Sequence, residues 1–265
     1  NANAICNARN VTVEDKQRMK RLIYAIVFLA LSVSQISAQD YEQAFYDVRQ
    51  GFEQRSSVIQ DYLKKYLEDY PYTPYVDEVY TMQGVLYSES GEYETTIKAL
   101  SKVNVKELSR ITEPMYYFHM GYAYMQLKEY KKALVYFTSL KNNHNNPYTL
   151  QASYYAGYCY YSLKEYGPAL VEFLALEQVG GYRKIAPYYI VQIHYALSEY
   201  DKVLERAEKL LTDFPDNEYN DELHRMVGEI YYQDSIYDKA ASHLEIYHEL
   251  RLKTNRSVMR NDLYL

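Results

Sequence analysis

Tryptophan is missing from this chain, and for 265 residues it holds few glycines (9), prolines (7) or cysteines (2). Two cysteines, Cys6 and Cys159, cannot build a disulfide framework. With Cys6 ahead of a processing site, Cys159 stands alone and reads as a small buried packing residue. Scarce glycine and proline suit a nearly all-helical chain. Past the N-terminal segment no basic block occurs, and a net charge of -6 argues against a nucleic-acid-binding stripe. The hydrolase nucleophile elbow, the phosphate-binding glycine loop and paired zinc-ligand motifs are all absent. His119, His144, His194, His224, His243 and His248 are scattered, and His243 and His248 stand five apart, the wrong spacing for one helical face. Glu165, Glu199 and Asp238 flank turns, where charge stays solvated. No catalytic residue, no cofactor and no metal site is therefore expected.

What the chain does have is tyrosine, 35 of them, in a repeating register. Gly84, Gly121, Gly157 and Gly228 are each followed three residues later by Tyr87, Tyr124, Tyr160 and Tyr231. Nine residues after each glycine come Tyr93, Tyr130, Tyr166 and Tyr237, and three further on sit Thr96, Ala133, Ala169 and Ala240. Self-similarity at about 34 residues is the signature of stacked helical hairpins, each leaning on its neighbours. Small residues belong where the two helices of a hairpin cross, since only they let the backbones approach. A larger one would overpack at about 1–3 kcal/mol. The bulky positions fill the space between successive hairpins. Val191 departs from the glycine rule, and His194 takes a tyrosine packing position.

This pattern resembles the tetratricopeptide repeat (TPR), whose consensus runs large aromatic, Leu-Gly, Tyr, then Ala, Phe/Tyr, Ala and a closing Pro. Tyr117, Met120-Gly121, Tyr124, Ala133, Phe137 and Leu140 carry it most clearly. The unit with Gly157, Tyr160, Tyr166, Ala169 and Phe173 has Ser153 in place of its first aromatic. The next keeps Tyr200 and ends on Pro215. The resemblance implies an all-α, right-handed superhelical solenoid of antiparallel helix pairs, with repeats starting near 77, 114, 150, 184 and 221 over residues 77–254. A helix pair over 39–76 precedes it as a cap. Tyr70-Pro71-Tyr72-Thr73-Pro74-Tyr75-Val76-Asp77-Glu78 resembles linkers of exported bacterial TPR proteins. Pro71 and Pro74 stop one helix, and Asp77-Glu78 favour the next N-terminus.

Lys16, Arg18, Lys20 and Arg21 precede the apolar run Leu22–Val33, and Ser37-Ala38 offers a small-residue cut site: a secretory signal peptide over 19–38. The run is short of the about 20 residues a membrane span needs. Residues 1–18 read as a non-native upstream segment, and 255–265 as the start of a truncated further repeat. The expected location is periplasmic, with membrane contact only through the signal peptide and no lipid anchor.

In TPR hairpins the first helix turns a recurring set of positions into the concave groove. The resemblance places Phe118, Tyr122, Tyr154, Tyr158, Tyr161, Tyr188 and Tyr195 there, an aromatic strip able to stack on an apolar or extended peptide. The paired Lys and Asn residues with which chaperone-binding TPRs hold a peptide carboxylate are missing. The expectation is a non-enzymatic scaffold with a protein or peptide partner in the cell envelope and no nucleic acid. A glycan- or cell-wall-binding module, or a structural spacer in a longer repeat protein, is the alternative.

Overall fold

The computed structural model describes residues 19–20, 23–24, 39–142 and 146–254. The segments assigned above to upstream sequence (1–18) and a truncated repeat (255–265) lie outside them, as do Cys6, His144 and all but four residues of the signal-peptide stretch. The described residues are all-α, as the register implies. The chain divides into two compact units, 1–83 and 84–265, with the boundary inside the third helix.

In the first unit, α1 is helical over 39–53 and α2 spans Ile59–Asp69. The turn between them passes through Arg55, held at φ 54°, while Ser56 N–H donates to Gly51 O (3.0 Å). Phe45, Leu63 and Tyr66 are buried, and Phe45 stacks on Tyr75 with ring centroids 4.1 Å apart. Tyr66 Oη meets Thr73 Oγ1 at 2.9 Å, fixing the proline-bearing link in which α2 has stopped. After Pro74, α3 (Val76–Glu89) starts with Asp77 and Glu78 in its first turn, where carboxylates favour the positive end of the helix dipole.

The second unit is a TPR-type solenoid of helix pairs. Following α3 come α4 (Tyr93–Leu100), α5 (Thr112–Gln126), α6 (Tyr130–Asn142), α7 (Thr149–Ser162) and α8 (Tyr166–Leu176). It continues with α9 (Ile185–Ala196), α10 (Tyr200–Asp213), α11 (Asn220–Gln233) and α12 (Tyr237–Thr254). Short 3-10 turns, Val105–Glu107 and Gly180–Tyr182, occupy two of the inter-hairpin loops. Odd-numbered helices from α3 are first helices of a hairpin; even-numbered ones are second helices.

Each first helix ends the same way. Gly91, Lys128, Lys164, Ser198 and Ser235 stand seven residues past the glycine register and all adopt left-handed backbone, φ between 59° and 79°. The next residue's N–H reaches back to the carbonyl of the marker tyrosine or its substitute: Glu129 to Tyr124 (2.8 Å), Glu165 to Tyr160 (2.9 Å), Glu199 to His194 (2.9 Å), Ile236 to Tyr231 (2.8 Å). With the second bond, such as Lys128 N–H to Met125 O at 2.9 Å, this is a Schellman cap, which satisfies carbonyls that the helix end would orphan.

The glycines make room for a side chain rather than for backbone. A Cβ on Gly121 would stand 2.8 Å from Cε1 of Phe137, and one on Gly157 3.0 Å from the Phe173 ring. Gly84 faces Leu100 at 2.4 Å and Gly228 faces Leu244 at 2.8 Å in the same way. The partner is always sixteen residues on, in the second helix of the same hairpin. At Val191 the partner register holds Ala207, and both are fully buried. The bulk has changed sides, and the same space is filled.

Candidate functional site

Tyr154, Tyr158 and Tyr161 recur at i, i+4 and i+7 on α7, so one helical face carries all three. They converge on Tyr189 of α9, their ring centroids 6.2, 6.1 and 5.5 Å from its ring. Tyr189 itself lies flat against Phe173, centroids 4.7 Å apart at 5°. One hairpin earlier, Phe118 stacks on Tyr122 (6.1 Å) and on Tyr148 (4.6 Å). Tyr155 bridges the groups, lying 5.3 Å from Tyr122 and 5.8 Å from Phe137. Phe118, Tyr122, Tyr154, Tyr158 and Tyr161 therefore join one continuous aromatic cluster. They are half-buried and so present ring surface outward.

Tyr188 is placed differently. It is fully buried (0%), stacked on Tyr219 at 4.4 Å, and its hydroxyl accepts from Gln192 Nε2 (2.8 Å). It offers a ligand no surface. The reason is the α9 sequence, where Tyr188 and Tyr189 both turn inward and take positions that elsewhere hold mixed residues. Tyr195, half-buried, donates its hydroxyl to Glu229 of the next hairpin, and Arg225 clamps that carboxylate with Nη1 2.8 Å from both oxygens. Tyr161 does the equivalent one hairpin earlier, reaching Gln192 Oε1 at 3.4 Å. The groove continues past Tyr195 as a charge network, Glu229–Arg225–Glu222–Arg251, rather than as aromatic surface.

Between α5, the α5–α6 turn and α7 opens a cavity of about 230 Å³. Met125, Gln126, Lys128, Tyr130, Tyr154, Tyr155 and Tyr158 line it. Only Tyr154 and Tyr158 were on the expected list. Tyr130 was visible in the sequence as a repeat marker. Tyr155 has no helical-face signal of its own beyond standing two residues before Gly157. A larger cavity, about 340 Å³, lies between α10 and the α8–α9 loop, where Arg206 pairs with Glu177 (2.7 Å) and acids and bases balance. The first unit holds another, about 570 Å³, beside Tyr62 and Tyr66. No residue of the aromatic cluster lines either one.

Electrostatics keep the phenols neutral. Burial, with Tyr122 nearby, pushes the Tyr155 hydroxyl up to about 12, and burial likewise raises Tyr158. Tyr195 rises to about 12 from burial and its bond to Glu229. These groups are hydrogen-bonding surface and not general bases. Burial pushes the Cys159 thiol up to about 12, so it is an inert packing group. His194 is buried, with Nδ1 against Glu199. Glu199 is therefore engaged by His194 and Lys202 instead of simply solvated, and those two contacts hold its carboxyl below the usual range. Among the described residues no three His, Cys, Asp or Glu side chains gather to hold a metal ion, and no helix is long and apolar enough to cross a membrane.

A family profile described as tetratricopeptide repeat matches residues 116–146, the hairpin of Gly121 and Phe137. Comparison with curated proteins by sequence gives no match. Among solved structures, a tetratricopeptide repeat protein from Parabacteroides merdae is similar at 18% identity and TM-score 0.58, over 82% of this chain and 88% of that one. MamA from MSR-1 is similar at 15% identity and TM-score 0.56, over 68% of this chain and 99% of its own. Another MamA structure gives 17% identity and TM-score 0.55, over 66% and 97%. At these identities the likeness is one of fold.

Proposed function

We propose that the chain is a tetratricopeptide-repeat protein, that it serves as a protein–protein interaction scaffold, and that it holds a protein or peptide partner of the cell envelope in the groove lined by α5 and α7. The protein is exported to the periplasm, catalyses nothing, and contributes surface alone. The single observation carrying the groove assignment is the tyrosine-walled cavity of about 230 Å³, contiguous with Phe118 and Tyr122 on one side and Tyr161 and Tyr189 on the other. Rings with neutral hydroxyls give large contact area at small entropy cost and tolerate varied hydrogen bonding, which suits peptide recognition. The basic-then-apolar leader ending at Ser37-Ala38 supports export.

The test is a pull-down from envelope extract with the full chain and with Tyr158→Ala plus Tyr161→Ala. The double variant loses its partners at unchanged helicity if the groove is the site. Retention of all partners overturns that placement. Export is checked separately, by fractionation and by the mass of the mature N-terminus, which should begin at Gln39.

A further inference from the structure

Two lysines occupy backbone that glycine favours. Lys128 and Lys164 hold φ 61° and 62° at the turns after α5 and α7, where Gly91 fills the same place after α3. A side chain there costs about 1–2 kcal/mol relative to a right-handed conformation. Lys128 is also the one charged residue lining the tyrosine cavity; no carboxylate lines it. Both lysines are exposed, and neither is ion-paired among the described residues, although Lys132, Lys141 and Lys202 nearby are. In a chain of net charge -6, Lys128 therefore sets a positive charge at the tyrosine cavity, and Lys164 takes the equivalent position one hairpin on.

Resting on the groove reading above, we propose that the partner is an extended peptide segment with one aromatic or large aliphatic side chain seated in the Tyr130–Tyr155–Tyr158 cavity and carboxylates reaching Lys128 and Lys164. The two lysines sit at equivalent points of successive hairpins. Packed helices lie about 8–10 Å apart, and an extended strand rises about 3.3 Å per residue. The matching spacing is therefore acid-x-x-acid, with the apolar anchor inside or next to that interval. The neutral phenols add donors for the carboxylate oxygens and backbone carbonyls. A basic segment would meet like charge at both ends.

The full chain is titrated, by fluorescence anisotropy, with labelled blocked peptides Gly-Asp-Phe-Gly-Asp-Gly, Gly-Lys-Phe-Gly-Lys-Gly and Gly-Asp-Ala-Gly-Asp-Gly. The acidic aromatic peptide binds about tenfold tighter than the basic one in low salt, and the gap shrinks at 0.5 M salt. Lys128→Glu with Lys164→Glu, both on the surface, reverses the preference at unchanged helicity. Replacing Phe by Ala in the peptide, or Tyr158→Ala in the protein, weakens binding whatever the charge. Equal affinity for acidic and basic peptides, or no response to the charge swap, overturns the inference while leaving the groove standing. Loss of envelope partners in the Tyr158→Ala, Tyr161→Ala variant without binding of any peptide also overturns it, whereas retention of those partners overturns the groove itself.

Discussion

Gly121 and Phe137 fit one another so closely that a Cβ on the glycine would stand 2.8 Å from the ring's Cε1. The contact recurs wherever the register holds glycine, and it inverts at Val191 and Ala207. Gly121→Ala and Gly157→Ala should each destabilise the protein by about 1–3 kcal/mol, because a full ring, not a flexible chain end, must move. Urea titration reads the loss.

The inverted pair makes a sharper test. Ala207→Phe alone should overpack against Val191, and Val191→Gly alone should leave a void. Combined, they recreate the arrangement of the neighbouring hairpins and recover part of both losses. A coupling energy within about 0.5–3 kcal/mol is expected from the double-mutant cycle. Simple additivity would refute the volume exchange.

Left-handed backbone at Ser198 and Ser235 predicts that glycine is preferred there. Ser198→Gly and Ser235→Gly should each raise stability by about 0.5–1 kcal/mol, the relief of strain exceeding the added freedom of the unfolded chain. A thermal melt would register the gain as a higher Tm.

His224 and His243 face each other across α11 and α12 with Nδ1 atoms 3.0 Å apart. Burial, and then His243, lowers His224 to about 4, and burial lowers His243, opposed by Glu208 and reinforced by Lys239; Tyr231 flanks the pair. The unfolded chain takes up protons near pH 6.5 that the folded pair refuses, so stability is full above that pH and falls as pH drops toward about 4. Melting the wild type and His224→Gln between pH 7 and 4.5 checks this: the variant should show the flatter profile. The Glu199 contribution, from a lowered carboxyl, is lost only below the ordinary carboxylate range and does not confuse the window.

Tyr158 and Tyr188 should separate binding from stability. Tyr188→Ala removes a fully buried ring stacked on Tyr219 and should cost about 3–5 kcal/mol. Tyr158→Ala trims half-buried surface, so its effect on unfolding is smaller and its effect on partner capture larger. Denaturation and pull-down on the same two variants settle the contrast.

Hairpins and their order were legible in the sequence because small and bulky residues alternate at one fixed spacing, and spacing is what a repeat conserves physically. The marker glycines, the tyrosine three residues later and the stop at Pro71 and Pro74 all correspond to helices and turns in the structure. Three things were not legible. Left-handed turn residues escaped notice because Lys128, Lys164, Ser198 and Ser235 are not the usual glycine, and their conformation comes from the cap, not from side-chain preference. Inward packing of Tyr188 was hidden because its face depends on what α11 and its preceding loop press against it. Tyr155 was missed because it stands outside the repeating marker and groove positions, yet it lines the cavity.

The bonds Tyr161–Gln192 and Tyr195–Glu229 join the same two sites in consecutive hairpins, and both acceptors are oxygens. Were the α9–α10 pair excised, Tyr161 would arrive opposite Glu229 and find an equally good mate. Along this edge the joints are interchangeable, so lineages could shorten or lengthen the stack by whole hairpins without inventing a new seam.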